Sequence, residues 1–201
     1  GKFSYDKDGR PSGTATVVDY EALDGAIYKV SGVSLVMSTV ATQLETPTSG
    51  PAFMAYMLGG NDTINSHAVN DTVAGYAGND RINLYEVGGR ADGGSGTDTL
   101  AFVTAAGHGV NASLLTSRAT DLNSGATMTL AGFEHLVGSS SNDVLQGNAS
   151  ANRIDGGSGT LDLVSYAGVT TAVTVNLATG SASGGGGSDT LVGIEGAIGG
   201  K

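Results

Sequence analysis

MLGGNDTIN SHAVNDTVA GYAGNDRIN LYEVGGRAD GGSGTDTLA, residues 57–101, repeats itself every nine residues. The sixth place of the nonads holds Asp62, Asp71, Asp80 and Asp98, with Gly89 the exception, and the eighth holds Ile64, Val73, Ile82, Ala91 and Leu100. One acid and one apolar residue are kept while the rest drifts. Glycines in the first four places permit positive φ and close backbone approach, so the first six residues can close a tight turn whose carbonyls gather toward one spot. The last three residues, such as Thr63-Ile64-Asn65, suit a very short strand with only the middle side chain turned inward.

Two turns and two strands make a coil of 18 residues, so aspartates 18 apart stack one coil above the next. Asp62, Asp80 and Asp98 fall on one edge, Asp71 and Gly89 on the other. A column of carboxylates beside inward carbonyls repels itself unless a hard cation sits between the layers, and flexible, numerous oxygen ligands favour calcium. The edge with three aspartates predicts two good sites; the edge broken at Gly89 predicts at best one weak site. The carbonyls assigned to these turns lie near Gly59, Gly60, Gly75, Ala77, Gly78, Gly93, Ser95 and Gly96.

The pattern resembles the glycine-rich nonapeptide GGxGxDxUx of the repeats-in-toxin (RTX) family, with U a large apolar residue. Gly93–Ala101 matches it at every defined position, and Gly75–Asn83 at all but the second, where Tyr76 stands. The resemblance covers about half of the chain directly. It implies an all-β parallel β-roll with calcium in the turns, on proteins that bacteria export through a one-step exporter reading an uncleaved C-terminal signal. It also implies catalytic sites in other domains, so this chain reads as non-catalytic, whether or not its parent is an enzyme.

Composition agrees with an elongated array rather than a large core. Gly is 34 of 201 residues, Pro 3 and Trp 0, with aromatics at 5%. Few bulky groups offset chain entropy, so ligand binding to the folded state becomes an obvious source of stability. The formal net charge of −10 argues against nucleic acid and anionic membrane surfaces as partners. Absence of Cys removes disulfides and thiolate metal sites. No apolar run reaches a membrane span, GKFSYDKDGR has no signal-peptide core, and a chain that starts without Met and stops inside a repeat reads as part of something longer.

Residues 1–56 read as a small β-rich cap: strands at Phe3–Tyr5, Thr14–Tyr20 and Ala26–Leu35, then a short helix over 35–45. Asp6-Lys7-Asp8-Gly9 lacks the further acids of a helix-loop-helix calcium loop and reads as a hairpin turn. The first array follows at 57–101, an irregular β linker at 102–137, a second array at 138–165, and a β linker with the start of a third array at 166–201. After residue 93 the chain is two copies of one block. Gly93–Thr97 recurs as Gly156–Thr160, and Leu130-Ala131-Gly132-Phe133-Glu134 as Leu191-Val192-Gly193-Ile194-Glu195.

In the second array Asp143 takes the acid place and Asn152 replaces the next acid. Asp162 comes one residue late, which predicts a bulge and one calcium ion on that edge, with carbonyls near Gly156 and Ser158. Asp189 opens the third group and is expected to need a coil past Lys201. Glu134 and Glu195 are expected to bind a local backbone group or a nearby calcium. Asn61, Asn79 and Asn142 should shape turns, and His67, His108 and His135 show no metal-protease spacing. No nucleophile motif appears. Three readings follow: a calcium-responsive folding and export module of a secreted bacterial protein, a surface-layer or adhesin segment that self-associates, and an appendage of a polysaccharide-modifying enzyme or protease that meets a cell-surface polysaccharide.

Overall fold

The computed structural model describes residues 3–5, 11–21, 27–36, 59–67 and 72–200. Each short apolar-centred segment becomes a strand, because alternate side chains of an extended segment turn inward to the roll's narrow core. The strands begin with β1 (Phe3–Tyr5), β2 (Pro11–Glu21) and β3 (Ile27–Val36), an antiparallel set. The first array supplies β4 (Thr63–Ser66), β5 (Thr72–Ala74), β6 (Arg81–Leu84), β7 (Gly89–Asp92) and β8 (Thr99–Phe102). Next come β9 (Val110–Ser113), β10 (Arg118–Asp121), β11 (Thr127–Ala131) and β12 (His135–Val137). The remainder is β13 (Val144–Gln146), β14 (Arg153–Asp155), β15 (Leu163–Ser165), β16 (Val173–Asn176), β17 (Ser181–Gly184), β18 (Gly187–Val192) and β19 (Gly196–Ile198).

These strands form two sheets. The larger has the order β1-β2-β3-β4-β6-β8-β12-β14-β18-β17-β16, the smaller β19-β15-β13-β9-β10-β11-β7-β5. Within the arrays, from β4 to β8 and from β12 to β15, successive strands go to alternate sheets and same-sheet neighbours run parallel, which is the parallel β-roll. Antiparallel pairing enters at β1 to β4, where β9, β10 and β11 fold back on one another, and at β16 to β18. Residues 102–137 therefore supply strands to both sheets, and in 166–201 β18 lies on β14 and β19 on β15.

Register fixes the core. Ile64, Ile82, Leu100, Leu136, Ile154 and Leu191 are successive partners across the larger sheet. Across the smaller, Val73 pairs with Ala91 and Ala91 with Leu130, while Ala112, Leu145 and Val164 are successive partners. All of them are buried in one cluster. A slip of one residue would turn each inward side chain to solvent, so the apolar place specifies the register. Among the described residues there is no helix. Of the helix expected at 35–45, Leu35 and Val36 belong to β3, and the rest lies outside the described residues.

Candidate metal centre

Asp62, Asp80 and Asp98 stand just ahead of β4, β6 and β8 of the larger sheet, and the register brings them into a column. Asp62 N–H donates to Asp80 Oδ1 at 2.8 Å, Asp80 N–H to Asp98 Oδ1 at 2.7 Å, and Asp98 N–H to Glu134 Oε2 at 2.8 Å. Outside this column runs a second ladder. Asn79 N–H donates to Asn61 Oδ1 at 2.7 Å and Thr97 N–H to Asn79 Oδ1 at 2.8 Å, so the asparagines tie one coil to the next. Glycine is required where coils touch: Gly78, at φ +123°, would drive a Cβ into the Gly60 carbonyl, and Gly96, at φ +143°, into that of Gly78.

The carboxylates are almost dry. Asp62, Asp80 and Asp98 are 3%, 2% and 0% exposed. Asp62 Oδ1 and Oδ2, Asp80 Oδ2 and Asp98 Oδ2 are buried with no hydrogen-bond partner among the described residues. An orphaned buried oxygen costs roughly 1–3 kcal/mol, and more when charged, so the free edge on each successive coil is where a positive partner would give the most relief. Burial first, and then the charge of Asp80, push the Asp62 carboxyl up to about 6. Burial likewise raises Asp80 and Asp98, the latter helped by Glu134 and Asp92.

Do these residues fit calcium? No group of three or more His, Asp or Glu side chains that could hold a metal gathers among the described residues, because each coil contributes one acid. The further oxygens must then come from backbone, and the turns bring them close. The space beside Gly75 that a Cβ would fill is bounded by Asp80 Oδ2 and the Gly93 carbonyl. Beside Gly159 it is bounded by both Asp162 oxygens and the Ser141 carbonyl. Carboxylate edges facing carbonyls, with no nitrogen or sulfur donor, form a hard-oxygen donor set, and the residues fit the ion.

Residues 58–85 and 129–160 match the RTX calcium-binding nonapeptide repeat, in 4 copies. The chain carries RTX calcium-binding repeats. Repeats of this family bind Ca2+, and in this chain they build an RTX β-roll. Comparison with curated proteins gives no significant match. Among the described residues no helix is long and apolar enough to cross a membrane.

The other RTX acids lie in two places. Asp143, Asp162 and Glu195 make a column ahead of the smaller sheet: Val110 N–H donates to Asp143 Oδ1 at 2.6 Å, Asp143 N–H to Asp162 Oδ1 at 2.8 Å, and Asp162 N–H to Glu195 Oε2 at 2.7 Å. The late acid is absorbed by the register, for Val144 pairs with Leu163, 19 residues on. Asp189 joins the larger sheet's column instead, where it accepts Asn152 N–H at 3.0 Å. The expected coil past Lys201 is thus replaced by one already present, because β16 and β17 form an excursion that returns β18 to β14. Asp71 lies outside the described residues.

Glu134 and Glu195 belong to the columns although the nonad count omits them. Each ends its block's Leu-x-Gly-x-Glu segment and accepts the N–H of the preceding aspartate in the stack. Their signal in the sequence is the repeat of that segment 61 residues apart. The histidines have separate partners. His67 stacks on Tyr85 with ring centroids 3.9 Å apart, His108 Nδ1 lies 2.9 Å from Asp121 Oδ2, and His135 Nδ1 accepts Arg153 N–H at 3.3 Å. Asp121 is held below the usual carboxylate range, because bonds from Ser124, His108 and Asn123 overcome the upward push of burial.

Proposed function

We propose that this chain is a calcium-responsive, non-catalytic folding module of a secreted bacterial protein, unfolded in its first array at cytosolic calcium and closed by the ion outside the cell. The observation that carries this reading is the buried Asp62–Asp80–Asp98 column with its unpartnered oxygens. Three stacked carboxylates in a dry turn oppose closure of the coils. Calcium supplies the positive charge that removes this opposition and binds the folded state in preference to the unfolded one. The chain's own residues do the positioning: Asn61 and Asn79 fix coil on coil, Gly78 and Gly96 allow the approach, and Ile64, Ile82 and Leu100 set the register. Asp80 and the Gly93 carbonyl form one ligand set, and Asp162 with the Ser141 carbonyl another. The resemblance to exported RTX proteins and the net charge of −10 support the extracellular half of the reading.

Circular dichroism of the chain in chelator, followed by stepwise calcium addition, tests it. The expected result is a saturable gain of β-signal at millimolar calcium or below. A chelated chain with full β-signal and no response to calcium would contradict it.

A further inference from the structure

Asp143 of the second array and Asp189 of the third differ from the acids of the first in what their second oxygen meets. Asp143 Oδ2 accepts Ser139 N–H at 2.6 Å, and the Ser139 hydroxyl also donates to Asp143 Oδ1 at 2.9 Å. Asp189 Oδ2 accepts the Tyr166 hydroxyl at 2.8 Å. Between Glu134 and Asp189 the column has Asn152, whose Oδ1 accepts Asn148 N–H at 2.8 Å while its Nδ2 donates to the Glu134 carbonyl at 3.1 Å. Ser139, Asn152 and Tyr166 are all buried, as are the acids they serve. In each case a protein O–H or N–H donor occupies the side of an oxygen that is left bare on Asp62, Asp80 and Asp98.

From these contacts we infer that Ser139, Asn152 and Tyr166 act as built-in substitutes for the cation, so that the coils carrying Asp143, Asn152 and Asp189 close without calcium and give the first array a preformed end to fold against. A hydrogen donor satisfies a buried carboxylate oxygen or carbonyl directly, and the cost of leaving it bare disappears. β12 of the larger sheet lies between β8 and β14, so the self-closed coils meet the calcium-requiring ones edge to edge. Asp162 is the exception within the second array. Its oxygens take the Asp143 and Gly159 N–H groups and no side-chain donor, and they face the Ser141 carbonyl, where that array takes its ion. The inference rests on the reading of the first column as a calcium site.

Hydrogen exchange of the full chain, read by mass spectrometry with and without calcium, tests it. In chelator, amides of residues 135–137, 144–146, 153–155 and 187–192 stay protected while those of 63–66, 81–84 and 99–102 exchange at unfolded-chain rates. Calcium then protects the second group alone. Tyr166→Phe makes protection at 187–192 fall at least about tenfold in chelator, a change of ~1.4 kcal/mol, with recovery on calcium addition. Should that variant not fold in either condition, Asn152→Asp reports the same point by binding one more calcium than the wild type. Both groups exchanging alike in chelator, with calcium binding intact, would overturn the inference and leave the proposed function standing. Both protected, with no calcium bound, would overturn the two together.

Discussion

The first and second arrays share a nonad, a coil and a core, yet they differ in how they satisfy their acids. Asp62, Asp80 and Asp98 hold one another through backbone N–H groups and leave four oxygens bare, whereas Asp143 and Asp189 have protein donors on both oxygens. The difference teaches that the same nonad can leave its acid bare or close it with protein donors. If Ser139 and Tyr166 substitute for the cation as inferred, the need for an ion follows from the donors within reach of the second carboxylate oxygen, and these come from outside the nonad's acid and apolar places.

Removing calcium should separate the two arrays most. At a calcium concentration a hundredfold above Kd, each filled site contributes about 2.7 kcal/mol, so chelation should unfold the first array at temperatures where the second keeps its strands. Calorimetry with and without chelator would show one transition becoming two. A single transition shifted as a whole would break the comparison.

Packing should not distinguish them. Leu100 and Leu145 are both fully buried, and in the presence of calcium Leu100→Ala and Leu145→Ala should each cost about 2–5 kcal/mol in denaturant melts. A much smaller loss at one of them would mean that the two cores are not equivalent. A lesser effect is expected at the turns. Gly96→Ala places a side chain at φ +143° against the Gly78 carbonyl and should cost more than about 1 kcal/mol, read from the same melts.

Acid should narrow the contrast that chelation opens, and burial raises Asp143, Asp162 and Asp189 in the same direction. The Asp62 carboxyl is raised from 3.8 to about 6 in the fold, chiefly by burial, with Asp80 and Asp98 also raised. The folded state therefore holds more protons than the unfolded one over that window, and in chelator its stability is greatest below about pH 4 and falls as the pH rises through about 6. With calcium, protons and cations compete for the same oxygens, and the first array should gain stability over that range. Melting temperatures at pH 4, 5, 6 and 7, with and without calcium, check both slopes; equal slopes would contradict the shared-oxygen account.

Much of this was legible in the sequence because the repeat is local. A period of nine with one acid and one apolar place fixes both the inward column from Ile64 to Leu100 and the stacked column from Asp62 to Asp98, and no distant contact enters. Legibility ended where the chain leaves the coil and returns. Glu134 comes 36 residues after Asp98, four nonads on, but across the β9 to β11 excursion where the nonad pattern lapses, and Glu195 comes 33 after Asp162, a separation outside the period. The placement of Asp189 against Asn152 depends in the same way on the hairpin of β16 and β17. Ser139 and Tyr166 carry no periodic signal at all, since their part depends on a hydroxyl reaching a neighbouring carboxylate in three dimensions.

The most direct test of the central claim is a calorimetric calcium titration of Asp80→Asn beside Asp143→Asn and the wild type. Asp80 lies between Asp62 and Asp98, so under the proposed function it contributes to two sites, whereas Asp143 is closed by Ser139 and Val110. Asp80→Asn should lose the heat of more than one ion, and Asp143→Asn should keep the wild-type stoichiometry. Equal losses in the two variants, or none in Asp80→Asn, would contradict the account.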